Sequence, residues 1–165
     1  MSDRNPLAAE VLVTAEVSAV EEQAIVEAFR ALAVAVRTRM APTRRGLEQL
    51  QWLVLATLPL HAFLSGFGSV AAEDVVRGLK RLVHRVVGAK RETASSARVM
   101  VLQDAETRLQ VVLEGDLPVA AYQELVALDL SVFREGPVHY DRQCGRWRSE
   151  LDEWQRRQAS DSGPV

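Results

Sequence analysis

Apolar and polar residues alternate from Glu10 to Val17, with Val11, Val13, Ala15 and Val17 on one side and Leu12, Thr14 and Glu16 on the other. A period of two predicts a strand with at least one buried face. At Ser18-Ala19-Val20-Glu21 the pattern changes to a capping box, the local signature of a helix start. Val20, Ala24, Ile25, Ala28, Phe29, Leu32 and Val36 then recur at helical spacing, predicting a helix that runs to about Arg39. Ala41 to Gly46, with Pro42 inside it, reads as a connector. Gln49 to Leu58 is rich in Leu, Val and Trp, as a central strand covered on both faces would be, and Pro59 ends it.

An uncharged run of 21 residues, Trp52 to Ala72, leads into the most two-sided segment of the chain, Val70 to Val87. Val75, Val76, Leu79, Leu82, Val83 and Val86 form an apolar stripe. Arg77, Lys80, Arg81, His84 and Arg85 form the other face, with Glu73 and Asp74 near the start. Acids at the first turn and cations at the last suit the helix dipole, Ser69 suits an N-cap and Gly88 a C-terminal cap. The uncharged run is long enough to cross a bilayer. Pro59, Gly66, Gly68 and Ser69 interrupt it, however, so it is expected to be a buried strand, a loop and a helix start.

Ala97 to Gln103 and Arg108 to Glu114 predict a hairpin across Asp104 to Thr107, with Val99, Val101, Leu109, Val111 and Leu113 facing the core. Pro118 opens a short helix to about Leu128 that turns Val119, Tyr122, Leu125 and Val126 inward. Val138 to Ser149 predicts a second hairpin around Arg142 to Gly145, with a glycine bulge. Glu150 to Gln158 suits one or two helical turns, and Ala159 to Val165 a disordered tail. The order β-α-β-α-β-β-α-β-β describes an α+β (mixed α/β) domain over residues 1–158. It has one mixed sheet, two amphipathic helices and a C-terminal hairpin, and its first three strands are free to run parallel.

Composition narrows the function classes. The chain has 165 residues and a formal net charge of −2, so global charge gives no reason to expect nucleic acid. Eighteen of its 20 cations are arginine, only Lys80 and Lys90 being lysine. A GC-rich bacterial genome explains that bias, because it favours Arg codons. The single cysteine, Cys144, excludes an internal disulfide and a cysteine-built zinc site. It suits a cytoplasmic protein, and the polar N-terminus from Met1 to Pro6 has no continuous apolar segment of a signal peptide.

No nucleotide, zincin or nucleophile-elbow motif is present, so no catalytic residue, cofactor or metal is expected. Gly66, Gly68 and Ser69, between a strand and a helix, form a loop that can offer backbone N–H groups to an anion. A tight strand-to-helix turn explains the same glycines. His139, Asp141 and Cys144 share one hairpin, as a thiol nucleophile and its base would need to; an ordinary exposed turn accounts for them as well. The basic stripe Arg77, Lys80, Arg81, His84 and Arg85, together with Tyr140, Arg146, Trp147 and Arg148, is the strongest candidate surface. Trp and Arg commonly anchor protein interfaces, while stacking with charge also holds single-stranded nucleic acid. The plain alternative is a solvated helix face and a Trp that closes the core.

The leading expectation is a non-enzymatic bacterial interaction module in the cytoplasm: an adaptor, regulator or assembly subunit with a protein partner or a second copy of itself. An enzyme of phosphate or other small ligands acting through Gly66–Ser69 is one alternative. Binding of nucleic acid or a membrane surface through helix 70–87 is the other. The Glu73-Asp74-x-x-Arg77-x-x-Lys80-Arg81-Leu82 segment resembles helices in small modules of bacterial signalling and defence loci. That resemblance covers one helix and implies no activity.

Overall fold

The computed structural model describes residues 7–13, 17–32, 34–40, 52–65, 72–87, 99–134 and 136–161. They form an α+β fold with β1 (Leu7–Val13), α1 (Ala19–Arg30), β2 (Val34–Met40), β3 (Trp52–Leu58), α2 (Leu60–Ser65), α3 (Ala72–Val87), β4 (Val99–Asp104) and β5 (Gln110–Glu114). There follow α4 (Val119–Ala127), a single 3-10 turn (Leu130–Val132), β6 (His139–Asp141), β7 (Arg146–Arg148) and α5 (Glu150–Asp161).

Five strands form one mixed sheet in the order β2-β1-β3-β4-β5. Two β-α-β units lie side by side in it: β1 is parallel to β2 across α1, and β3 is parallel to β4 across α2 and α3. The units meet antiparallel at β1 and β3. The expectation that the first three strands read from the sequence run parallel holds for β3 and β4 and is corrected for β1 and β3. The reason is an unforeseen strand. Residues 34–40 form β2 rather than the end of the first helix, and one added pass reverses the direction in which β3 enters.

The capping box at Ser18 is present. Its hydroxyl accepts from Glu21 N at 3.3 Å, and Glu21 Oε2 accepts from Ser18 N at 2.8 Å. Ile25, Ala28 and Phe29 of α1 are buried as the stripe requires, but Val20 is 80% exposed and is not part of it. Val36 belongs to β2. Every residue of the stripe on α3, from Val75 to Val86, is buried. α3 packs against both α1 and α4, which do not pack closely on each other, and so lies between them in one helical layer. No helix among the described residues is long and apolar enough to cross a membrane.

The core lies between that layer and one face of the sheet. It takes Val11 and Val13 from β1, Val54, Ala56 and Leu58 from β3, Met100 and Leu102 from β4, and Val111 and Leu113 from β5. Met100 pairs with Leu113 and Leu102 with Val111. Val101 therefore points to the opposite face, opposite Val112, which corrects the expected inward set by one residue. A one-residue change of register turns every side chain of a strand over, and β4 hides the change because both of its faces are buried. On the outer face, Arg39, Leu12, Leu55, Val101 and Val112 form one transverse row. Arg37, Glu10, Thr57, Gln103 and Gln110 form the next.

α4 buries Ala121, Tyr122 and Leu125, while Val119, expected inward, is exposed. Burial, helped by the charge of Asp116, pushes the Tyr122 hydroxyl up to about 12. The two edges of the sheet differ. On the outer side of β5, Val138 donates to Gln110 O at 2.8 Å and accepts from Val112 N at 2.9 Å. That bridge extends the sheet by one residue and leads into the β6–β7 hairpin. Among the described residues β2 ends the sheet on the other side. The C-terminal helix is three turns long and reaches Asp161, past the point where a tail was expected to begin; residues 162–165 lie outside the described residues.

Candidate interaction surfaces

The β6–β7 hairpin forms as its sequence requires. The Asp141 carboxylate accepts from Gln143 N at 2.9 Å and from Cys144 N at 3.0 Å, and Gly145 closes the turn at a φ of 62°. A side-chain acceptor two and three residues ahead of its donors is the ordinary bracing of such a turn, and positive φ favours glycine. The same carboxylate pairs with Arg148 on the partner strand. The backbone N–H of Cys144 first, and then Arg148, hold Asp141 well below the usual carboxylate range. Cys144 is exposed in the turn, and His139 faces Glu150 at 3.8 Å. Asp141 thus serves the turn, taking bonds from both the backbone and the side chain of Cys144, while His139 faces the start of α5.

Arg148 joins the hairpin to α5. Its Nε donates to Glu153 Oε1 at 2.8 Å and its Nη2 to Glu153 Oε2 at 2.5 Å, a two-pronged pair, while Nη1 reaches Asp141. The Glu153 carboxylate first, and then that of Asp141, push the Arg148 guanidinium further up. A fork bonding two carboxylates fixes direction as well as distance. Ser149, buried at the start of α5, accepts from Asp152 N at 3.3 Å, and the buried Asp152 side chain pairs with Arg156. The start of α5 is therefore capped by Ser149 and tied to the hairpin through Arg148.

That bracing orients two side chains outward. Leu151 is 42% exposed and Trp154 52% exposed, three residues apart on one helical face. They were not singled out from the sequence, although their i, i+3 spacing in a charged segment is a visible signal of an apolar pair that faces one way. Trp147 shows the opposite behaviour. It is 4% exposed, its Nε1 donates to Ala121 O at 2.9 Å, and its ring meets Tyr140 edge-on at 5.6 Å between centroids. Of the proposed hairpin surface, Arg146 alone is exposed. Tyr140 is half-buried, Trp147 belongs to the core and Arg148 to the ion-pair network. Trp147 cannot stack on a base without leaving α4.

On α3, Arg77, Arg81, His84 and Arg85 are exposed and Lys80 is half-buried, all away from the apolar stripe as expected. Arg77 pairs with Asp74 at 2.6 Å, an exposed bond that contributes less than about 1 kcal/mol. Gly66, Gly68 and Ser69 lie outside the described residues. Among the described residues no cluster of three or more His, Cys, Asp or Glu side chains is arranged to hold a metal ion.

The other notable carboxylate is structural. Asp104 Oδ1 accepts from Leu60 N at 2.8 Å, and its Oδ2 accepts from Glu106 N, Thr107 N and Thr107 Oγ1. It fastens the β4–β5 turn to the start of α2. Burial works to raise its pKa, but the bonds from Thr107, Leu60 and Glu106 outweigh that and lower it. Asp104, Asp141 and Glu153, which Arg148 holds low, all ionise more readily folded than unfolded. Such groups stabilise the fold above their unfolded pKa of about 4, and that contribution is lost as pH falls through their lowered folded values. Thermal stability is expected to drop on acidification below about pH 4. Asp104→Asn should flatten part of that drop while lowering the midpoint at pH 7, which a series of thermal melts from pH 2 to 7 reads directly. An unchanged acid limb would contradict the assignment.

Comparison with protein-family models, with curated proteins and with solved structures finds no match.

Proposed function

We propose that the chain is a non-enzymatic protein-interaction module that presents α5 to a partner protein. The observation that carries this reading is the outward pair Leu151 and Trp154 on a helix capped by Ser149 and tied to the hairpin by Arg148. Apolar anchors at i and i+3 are what a helix lays into an apolar groove, and a preset orientation lowers the ordering cost of binding. The fit is to a partner with such a groove. This reading assigns the module to a reducing bacterial cytoplasm, as an adaptor, regulator or assembly subunit. The arginine-dominated cation set and the lone exposed Cys144 are consistent with that assignment.

The test is capture from native lysate at moderate salt, with and without nuclease, using the wild type and a Leu151→Ser/Trp154→Ser variant. A stoichiometric protein that survives nuclease and is lost with the variant supports the reading. Capture indifferent to the variant contradicts it.

A second reading has one observation in its favour: Lys80, Arg81 and Arg85 have no ion pair among the described residues and share the outer side of α3. A polyanion bound there would be released steeply by salt. Protein lost together with nucleic acid on nuclease treatment would favour it over the first.

A further inference from the structure

We infer that the free edge of β2 accepts an extended acidic segment of another protein as a sixth strand. This rests on the interaction-module reading and adds a second surface with its own chemistry. β2 is a seven-residue strand at the end of the sheet, paired on one side to β1 over its whole length. Among the described residues no other strand pairs with its outer side, whereas the opposite edge of the sheet is bridged by Val138. A row of unpaired backbone donors and acceptors is a template for strand addition.

The side chains on this edge choose the occupant. Ala35, Arg37 and Arg39 are exposed on the outer face of the sheet. Arg39 Nη1 binds Glu10 Oε1 at 2.9 Å, and Arg37 has no ion pair among the described residues. A second copy is a poor occupant. Two β2 strands paired antiparallel about Arg37 set Arg37 against Arg37, and paired about Thr38 they set Arg37 against Arg39. Like charges directly opposite are destabilising. A strand with carboxylates at alternate positions meets both arginines with opposite charge. Its intervening residues fall on the face of Val36 and Thr38, both half-buried, where apolar or β-branched side chains fit. The pattern sought is therefore alternating acidic and apolar residues. Nucleic acid offers no matching backbone for the edge.

The probe is a dye-labelled synthetic peptide, Thr-Glu-Val-Glu-Val-Glu-Thr, compared with the same peptide carrying Lys for Glu. The full chain is titrated at low salt and followed by anisotropy and by amide exchange. The acidic peptide is expected to bind about ten-fold more tightly than the basic one, the effect of two favourable cross-strand charge pairs. Binding should slow exchange at alternate amides of residues 34–40. Arg37→Glu/Arg39→Glu should reverse the preference. Arg37→Gln/Arg39→Gln, with an unchanged melting midpoint to show that it folds, should abolish it. No binding of either peptide, an unchanged preference in the variants, or protection confined to other strands would overturn the inference. Because Trp154→Ala should leave peptide binding unaltered, failure here is distinguishable from failure of the α5 reading.

Discussion

Trp147→Ala is expected to destabilise the protein by about 3–5 kcal/mol, the usual cost of truncating a buried aromatic to alanine. Trp147 is 4% exposed, packs edge-on against Tyr140, and gives its indole N–H to Ala121 O, so the truncation opens a cavity and leaves an acceptor on α4 without its donor. It is also the main apolar tie between the β6–β7 hairpin and α4. Domains of this size hold a total stability of about 5–15 kcal/mol, so the loss is a large share of it. Urea denaturation should show a much lower midpoint with a similar slope. Trp154→Ala, a change of the same residue type 52% exposed, should cost no more than about 0.5 kcal/mol. Equal costs for the two would contradict the placement of one indole inside and the other outside.

Leu102→Asp is expected to prevent folding. Leu102 is fully buried, in register with Ala56 on one side and Val111 on the other, facing the helical layer. Among the described residues no buried cation is there to meet a carboxylate, and burying an unpaired charge, or neutralising it by protonation, costs several kcal/mol. The expected result is loss of the near-ultraviolet circular dichroism and of a cooperative thermal transition. Leu12→Asp is the matched control. Leu12 is half-buried on the opposite face and stands in register with Arg39, so that charge has both water and a cation within reach and should cost roughly 1 kcal/mol. If both variants folded equally well, the assignment of the two sheet faces would be wrong.

The fold was most legible where a local signal and the tertiary environment agree. The capping box of Ser18 and Glu21, the stripe of α3, and the Asp141–Gly145 turn each have a short-range cause, and each forms as its residues require. β2 was hidden because Ala28, Leu32 and Val36 continue a helical spacing through residues that also alternate as Val34, Val36 and Thr38. Pairing with β1 along seven positions decided between the two periods, and no residue near Ala31 announces the helix end with glycine or proline. The inverted face of β4 has a similar origin. Met100, Val101 and Leu102 are all apolar and all buried, so only the cross-strand partner says which of them meets the helices.

The candidate surface was legible in part. The basic side of α3 lies outward as its dipole-matched, amphipathic sequence implies. The hairpin motif Arg146-Trp147-Arg148 looked like a recognition element because Trp between arginines is typical of interfaces. The alternation of a three-residue strand instead sends Trp147 inward and leaves Arg148 beside Asp141 and Glu153. What replaces it, Leu151 and Trp154, lies in a segment whose many charges suggested only a short helix. The pair between Arg148 and Glu153, invisible without the hairpin in place, ties the base of α5 to it.

The most direct test of the central claim is the affinity of the captured protein for purified wild type, Trp154→Ala and Trp147→Phe, measured by isothermal titration calorimetry. If α5 is the presented surface, Trp154→Ala weakens binding by at least about 30-fold, the loss of one well-buried interface anchor, with the melting midpoint almost unchanged. Trp147→Phe then lowers the midpoint and leaves affinity near that of wild type. Wild-type affinity in Trp154→Ala would contradict the claim.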